Sequence, residues 1–383
     1  MADMDLENIR KDIDSIDSEI TALFKKRMDK TLEVAKYKKS KGIPVLSDKR
    51  EKDILHRVSE EIGEPLDGYA RLLFNTIFDV SRSYQNNYMA GRSRLSALID
   101  EALSQTPDLF PKKAVVGCQG IAGSYSQAAA EKLFAVPSVM YFNSFEGVFN
   151  AVEKGLCQYG ILPIENSSYG SVGAVYNLMQ NYNFYIIKSL RLTVSHNLMA
   201  KAGTMLSDIR EIFSHELAIG QCGDFIKKLN DIKITVCDNT AVAAKMVAES
   251  DRTDVAAISS KECIELYGLE LLKRNIQISD NNYTRFICFS KKLEIYPGAN
   301  KMTLILSLPN TPCSLYHTIA KFAAMGINLT KLESRPIPGS DFEFMFYFDL
   351  EASVYSRELL DLLGEMQEGP EIFSFLGCYM EAI

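Results

Sequence analysis

No stretch of this 383-residue sequence approaches the ~18 to 20 consecutive apolar residues that cross a bilayer as a helix; the greasiest segment, 342–350, is short and carries Glu343 and Asp349. That argues against a membrane role. The first five residues, Met1-Ala2-Asp3-Met4-Asp5, lack the basic segment and apolar core of a secretory signal, so a cytoplasmic protein is expected. Positive charge is also short. Lys and Arg number 42 against 49 Asp and Glu, a net charge of -7, so no global basic field recruits nucleic acid or anionic membrane and any anion must be met by local clusters. The eight cysteines (Cys118, Cys157, Cys222, Cys237, Cys263, Cys288, Cys313, Cys378) include no C-x-x-C pair, which indicates neither a zinc ribbon nor a disulfide scaffold and leaves reduced, packed thiols. Low-complexity tracts and internal repeats are absent.

What is present is an ordinary globular composition, 47% apolar and 24% charged, long enough for two to four domains. From Leu6 the apolar residues Leu6, Ile9, Ile13, Ile16, Ile20 and Leu23 recur in steps of three and four, the seam of a helix running to about Lys39. Such a helix is on the order of 50 Å long, too long to bury its stripe on one short neighbour, so it is expected to pair with another subunit. Gly42-Ile43-Pro44 breaks it, and helices over about 50–62 and 69–88 complete an all-helical unit, 1–90. A polar connector, 91–112, follows. Short β-branched runs then alternate with helices: 114–116, 159–163, 185–192, 211–213, 233–236, 255–258 and 285–289. They predict an α/β domain with a largely parallel sheet, 113–290. Beyond Tyr296-Pro297-Gly298, residues 300–383 read β-α-β-β-α with a further strand at 378–383, a ferredoxin-like α+β sandwich.

Extending the first seam by sevens gives Ile13, Ile20, Arg27 and Val34, so an arginine falls where the pattern is apolar. Lys38, eleven residues on, lies about 20° away on nearly the same face. Two inward cations are costly to desolvate; either carboxylates of the protein or an anionic ligand must neutralise them. The pattern around them, Leu6-x-x-Ile9-Arg10-x-x-Ile13-x-x-Ile16-Asp17, Arg27, Lys38, Pro44-Val45, Arg50-Glu51, Ser81 and Gln85, resembles the all-helical chorismate mutase domain. The resemblance implies an intertwined dimer, with substrate-binding groups at Arg10, Arg27, Lys38, Arg50, Glu51, Ser81 and Gln85, Arg10 serving the partner's site. Rearrangement of chorismate to prephenate is unimolecular and needs no nucleophile, only a held conformer and donors to the ether oxygen, for which Lys38 and Gln85 are the candidates. Ser47 stands where that family commonly has an acidic residue, with Asp48 displaced by one.

Four polar motifs fall at strand ends of the middle domain, where α/β proteins place ligands. They are Gly120-Ile-Ala-Gly-Ser124-Tyr-Ser-Gln127; Pro163-Ile-Glu165-Asn166-Ser167; Ser214-His215 with Gln221-Cys222; and Thr284-Arg285-Phe286. In this order they resemble prephenate dehydratase, which implies two α/β lobes similar to periplasmic binding proteins and a site in the cleft between them. Prephenate loses carbon dioxide and its ring hydroxyl together, which calls for carboxylate clamping and help for a departing hydroxide. Thr284 is the candidate donor to that hydroxyl, and Arg285 either steadies the substrate or supports the threonine. Ser124, Glu165, Asn166, Ser167, Ser214 and Gln221 are the expected polar contacts, and His215 stays outside the catalytic set. Glu216-Leu217 replaces the family's Pro-Gln after Ser-His.

In the last unit, Gly326-Ile-Asn328-Leu329-Thr-Lys-Leu-Glu333-Ser334-Arg-Pro336 resembles the regulatory ACT domain of prephenate dehydratases. The resemblance implies L-phenylalanine as an inhibitor bound between subunits, at Cys313, Ser314, Leu315, Asn328, Leu329, Glu333 and Ser334. Cys313-Ser314-Leu315 stands where Gly-Ala-Leu is usual. The whole chain thus resembles a bifunctional chorismate mutase and prephenate dehydratase acting on chorismate and prephenate in phenylalanine biosynthesis, a homo-oligomer (dimer or tetramer) with no metal or organic cofactor. A rival from another class is a non-enzymatic sensor, a two-lobed binder signalling through its helices. Thr284, Arg27 and Lys38 discriminate, since a sensor needs no donor to a leaving hydroxyl and no inward cations.

Overall fold

The structure, a computed structural model, describes residues 6–89, 93–229, 231–279, 281–337, 344–367 and 372–382. Three helices come first: α1 (Leu6–Lys41), α2 (Asp48–Ile62) and α3 (Asp67–Met89). α1 is continuous over 36 residues because neither proline nor glycine interrupts it, about 54 Å at 1.5 Å per residue. Its C-terminal half packs on α3, yet within the chain only Thr31 and Ala35 of α1 are buried. The apolar seam of its N-terminal half stays open to solvent, from Leu6 (59% exposed) to Leu23 (65%).

The segment expected to be a connector, 91–112, departs from that reading. It contains α4 (Arg94–Gln105), begun by the Ser93 hydroxyl accepting from the Ser96 N–H. Leu95, Ile99 and Ala102 are buried against the far C-terminal unit, in one core with Met302, Leu304, Phe322, Leu359 and Leu363. The i, i+4, i+7 spacing of these residues is helical, and the polar residues between them form the wet face.

Next comes one α/β lobe: β1 (Lys113–Gln119), α5 (Tyr125–Leu133), β2 (Val136–Phe142), α6 (Phe145–Glu153), β3 (Tyr159–Asn166), β4 (Gly170–Ser171), α7 (Gly173–Tyr182) and β5 (Tyr185–Thr193). The chain then crosses to a second lobe: β6 (Asn197–Ala200), β7 (Glu211–Ser214), α8 (Glu216–Gln221), α9 (Gly223–Ile226), β8 (Lys233–Val236), α10 (Thr240–Glu249), β9 (Val255–Ser259), α11 (Glu262–Tyr267) and β10 (Glu270–Lys273). It returns through β11 (Tyr283–Ser290) to the first. The C-terminal unit is β12 (Lys301–Ser307), α12 (Ser314–Ala324), β13 (Asn328–Pro336), β14 (Phe344–Glu351), α13 (Arg357–Gln367) and β15 (Phe373–Ala382).

The second lobe is a five-stranded sheet in the order β10-β6-β9-β7-β8. The first lobe and the C-terminal unit share one ten-stranded sheet, β13-β14-β12-β15-β5-β11-β3-β1-β2, with β4 beside β3. The last unit has the expected ferredoxin-like order, β13-β14-β12-β15, all antiparallel. The sheets of the middle region are mixed rather than largely parallel, because the returning β11 runs antiparallel to both β3 and β5 in the first lobe, and β6 runs antiparallel to both β9 and β10 in the second. The strands β2, β6 and β10, for which no strand was expected, lie at sheet edges or are only four residues long, where alternation carries little signal.

The joint between the two sheet portions is backbone to backbone. β15 pairs with β12 on one side and, through Met380, Glu381 and Ala382, in parallel with Lys188, Ser189 and Leu190 of β5 on the other. Gly377 makes this possible: its φ of +129° accompanies a register shift in β15, and a Cβ there would lie 2.4 Å from the Ile186 carbonyl oxygen. Side chains continue the seam, with Ile305, Tyr347, Leu376 and Tyr379 sharing a core with Tyr176, Ile186 and Phe289. No helix among the described residues is long and apolar enough to cross a membrane. Ile99 is fully buried, so Ile99→Ala should destabilise the chain by about 2–5 kcal/mol. Urea denaturation followed by circular dichroism checks this, and a change near zero would contradict the embedding of α4.

Candidate active sites

In the helical unit, the sequence-predicted residues converge between α1, α2 and α3. Arg27 of α1 donates to the Ser81 hydroxyl of α3, which itself donates to the Ile77 carbonyl. Gln85, one turn on, donates from Nε2 to the Ser81 carbonyl at 3.2 Å, while its buried Oε1 has no protein partner. The Arg27 guanidinium lies 5.9 Å from the Phe78 ring centroid. Lys38 donates to the Val45 carbonyl in the loop before α2. Among the described residues no carboxylate forms an ion pair with Arg27, Lys38 or Arg50. Burial, and then the charge of Arg50, lower the Arg27 pKa. Burial lowers that of Lys38 too, with Arg50 adding to the effect and Glu51 opposing it. The three cations thus form one under-neutralised field, which an anion would relieve.

Arg10 is exposed at the far end of α1, apart from this group. Glu51 is held by Arg82, a residue sequence reasoning passed over because an arginine beside Ser81 reads as ordinary helix surface. Ser47 stands before α2 without a capping hydrogen bond from its side chain.

Between the α/β lobes, five side chains form a continuous chain of hydrogen bonds. Asn166 Nδ2 donates to Thr284 Oγ1 at 2.9 Å and to Asn282 Oδ1 at 3.0 Å. Asn282 Nδ2 donates to Gln221 Oε1 at 3.0 Å, and the same oxygen lies 2.6 Å from His196 Nε2. Asn166 Oδ1 accepts from the Ser168 and Tyr169 N–H groups, which fixes the amide's orientation. Gln221 ends α8 of the second lobe, Asn166 and Thr284 are cross-strand partners on β3 and β11 of the first, and His196 and Asn282 lie on the two crossovers. His196 went unnoticed in the sequence, and Asn282, which opens the motif Asn282-Tyr283-Thr284-Arg285-Phe286, was given no role there. Asn282 does sit two residues before Thr284, which on a strand is the same face.

The other expected contacts lie elsewhere. Ser124 caps α5 by accepting from Gln127 N–H. Ser167 donates to the Asn281 carbonyl and accepts from Tyr283 N–H, tying β3 to β11. Ser214 is buried and donates to the Ile258 carbonyl inside the second sheet. His215 caps α8 through Nδ1. The Gly120–Gln127 turn does meet the second lobe: Tyr267 donates to the Ala122 carbonyl at 2.6 Å, and at Gly123, φ +86°, a Cβ would come 2.8 Å from Cys263 Sγ. This close approach is a constraint on backbone, and it explains the glycine without any ligand.

Glu165 and Arg285 lie apart from this network, and of the two roles open to Arg285 the geometry matches support of the threonine. They too are cross-strand partners, one residue along from Asn166 and Thr284, so they face the opposite side of the sheet. Arg285, 6% exposed, pairs with Asp349 of β14 at 2.6 Å and with Glu165 at 3.1 Å. Burial works against its charge, but the surrounding Tyr379, Asp349, Tyr176 and Glu165 outweigh it and raise its pKa. Lys331 of β13 adds a contact to Glu165 at 3.4 Å and to the Tyr176 hydroxyl. Arg285 therefore supports the strand of Thr284 from behind.

In the C-terminal unit, Cys313 is exposed and left-handed, φ +68°, at the start of α12, the conformation for which glycine is the usual residue. Ser314 pairs with Thr311, and Asn328 donates to Glu351 at 2.8 Å. Leu315 and Leu329 pack into the core beneath. Glu333 binds Ser171, Lys331 and Arg335, while Ser334 is exposed. Glu333 thus engages the first lobe rather than the Cys313 turn.

The sequence profile of the prephenate dehydratase family matches residues 116–294, and that of chorismate mutase type II matches residues 9–86. The bifunctional chorismate mutase/prephenate dehydratase of Escherichia coli is 31% identical over 381 residues, 97% of this chain and 95% of that protein. Arogenate dehydratase/prephenate dehydratase 2 of Arabidopsis thaliana is 35% identical, over 69% of this chain and 72% of its own. Among solved structures, prephenate dehydratase from Arthrobacter aurescens in complex with L-Phe superposes with a TM-score of 0.63 at 28% identity, covering 70% of this chain and 90% of its own.

His196 links the cleft to pH. Its Nε2 faces an acceptor, Gln221 Oε1, so Nε2 carries the proton and Nδ1 is buried without a protein partner. Burial, opposed by the Gln221 hydrogen bond, lowers its pKa below the usual 6.5. Below pH 6.5 the unfolded chain then binds a proton that the folded chain refuses, so this contribution is complete above pH 6.5 and is lost as pH falls toward the depressed value. Urea midpoints should decline on acidification below pH 6.5, and less steeply in His196→Gln; superimposable profiles would clear His196 of the effect.

Proposed function

The chain belongs to the bifunctional chorismate mutase/prephenate dehydratases, and on that premise we propose how its residues divide the two reactions and their control. It rearranges chorismate to prephenate and converts prephenate to phenylpyruvate, two steps of phenylalanine biosynthesis. The observation that carries the first assignment is the under-neutralised field of Arg27, Lys38 and Arg50, suited to a dicarboxylate. Arginine forks clamp the carboxylates, Glu51 takes the substrate hydroxyl, and Lys38 with Gln85 donate to the ether oxygen as its C–O bond breaks and the new C–C bond forms. Lys38 spends one of its three donors on Val45, and Gln85 Nε2 spends one of two on Ser81. Arg10 completes the site of a second copy. The uncovered seam of α1 supports such an intertwined dimer, because a stripe of that length finds no cover within its own chain.

For the dehydratase, Thr284 donates a hydrogen bond to the departing ring hydroxyl as the C–CO2 bond breaks and its electron pair aromatises the ring; the C–O bond breaks with it, and the hydroxide takes a proton from solvent, so that carbon dioxide, water and phenylpyruvate result. Asn166 supports this role: by donating to Thr284 Oγ1 it occupies a lone pair and leaves the hydroxyl proton for the substrate. Asn166, Asn282, Gln221 and His196 hold the two lobes in register around it. The C-terminal unit is an ACT-type regulatory domain that binds L-phenylalanine near Cys313 and inhibits. Its route to Thr284 is the Asp349–Arg285 pair, adjacent on the strand.

Thr284→Ala should lower prephenate turnover by about 10²–10⁴-fold and spare the mutase, and Arg27→Ala should do the reverse to a similar extent. Phenylpyruvate formation from chorismate and from prephenate, with and without L-phenylalanine, reads all of this. Near-normal dehydratase turnover in Thr284→Ala would remove it from the mechanism, and a phenylalanine-insensitive wild type would refute the regulatory assignment.

A further inference from the structure

A line of four polar side chains, Glu51, Arg82, Asp79 and His317, joins the helical unit to the C-terminal unit. Arg82 Nη1 donates to both carboxylate oxygens of Glu51, and its Nη2 donates to Asp79 Oδ1. The other oxygen of Asp79, Oδ2, lies 2.5 Å from Nδ1 of His317. Glu51 is on α2, Arg82 and Asp79 are three apart on α3, and His317 is in the first turn of α12, where its N–H donates to the Cys313 carbonyl at 2.9 Å. All four are partly buried. Burial opposes the Arg82 charge, but Glu51 and Asp79 overcome it and raise its pKa.

This geometry is specific. One guanidinium spans two carboxylates, Nη1 reaching both oxygens of Glu51 and Nη2 reaching Asp79, so its rigid plane fixes where the two acids sit relative to each other, which a lone ammonium would do less well. Arg82 is itself aimed by Asp79, and Asp79 by a residue of the C-terminal unit. His317 lies one turn after Cys313, so any displacement of the 310–315 turn moves the imidazole that Asp79 faces.

We infer that Arg82 and Asp79 are positioning residues for Glu51 in the mutase reaction, and that His317 makes their placement depend on the C-terminal unit. An amino acid bound beside Cys313 thereby reaches the mutase through His317, a route separate from the Arg285 route to the dehydratase. The inference rests on the proposed role of Glu51 in holding the substrate hydroxyl.

The test uses the full-length chain and steady-state kinetics of each reaction. Glu51→Gln should raise the chorismate KM by about tenfold or more. Arg82→Gln should lower mutase kcat/KM by about tenfold, Arg82→Lys should recover part of the loss, and His317→Gln should cost about threefold while leaving the dehydratase unaltered. His317→Gln should also abolish phenylalanine inhibition of the mutase and retain that of the dehydratase. The His317→Gln effect should vanish in the Glu51→Gln background, which a general loss of stability would not produce. Effects that persist without Glu51, or equal losses in both reactions, overturn the inference with the Glu51 assignment intact. Unchanged chorismate kinetics in Glu51→Gln would instead overturn that assignment, and this inference with it.

Discussion

A guanidinium shut away from water must be answered by carboxylates, and much of the molecule is arranged around that requirement at Arg285. Its partners, Asp349 and Glu165, come from two different parts of the chain, so its charge is satisfied only when the C-terminal sheet is docked on the first lobe. Removing one partner of such a buried pair typically costs about 3–5 kcal/mol, because the other is left unpaired in a poor solvent. Lys331 and Glu333 extend the same logic to β13 and β4. The ten-stranded sheet is the backbone counterpart of this joint, through the pairing of β15 with β5.

Sheet alternation lets one pair of strands serve two purposes. At β3 and β11, Asn166 and Thr284 face the cleft while Glu165 and Arg285, one residue away, face the C-terminal unit. The hydrogen-bonded network of the cleft and the buried ion pairs of the C-terminal joint are therefore separated by the thickness of a pleat. Both chemistries suit such a scaffold. Neither asks for a strong nucleophile, so donors and cations held at fixed positions by helices and strands suffice.

Much of this architecture was legible in the sequence, for reasons that differ by region. The three-four spacing from Leu6 to Leu23 marked α1, and the sevenfold extension to Arg27 marked a cation out of place. The β-α-β-β-α order of the last unit was equally plain. Asn166, Gln221 and Thr284 were found as motif residues and do meet. What could not be read was pairing over long separations: Arg285 with Asp349, Arg82 with Glu51, His317 with Asp79, Asn282 between Asn166 and Gln221. A charged residue on a helix or strand looks the same in sequence whether it faces water or a partner 200 residues away. The connector 91–112 was missed for a related reason, since Leu95, Ile99 and Ala102 are few and their core is supplied by residues beyond 290.

That last arrangement has a consequence for the order in which the chain acquires its structure. α4 emerges from synthesis near residue 105, but the residues that enclose it extend to 363 and beyond. At about 5–20 residues per second, its apolar face waits on the order of ten to fifty seconds for its cover. The two lobes have time to form while the ends that bracket them stay apart. The C-terminal unit supplies both the residues that enclose α4 and His317, which meets Asp79 of the helical unit. The last strands made thus finish a core that the first hundred residues began.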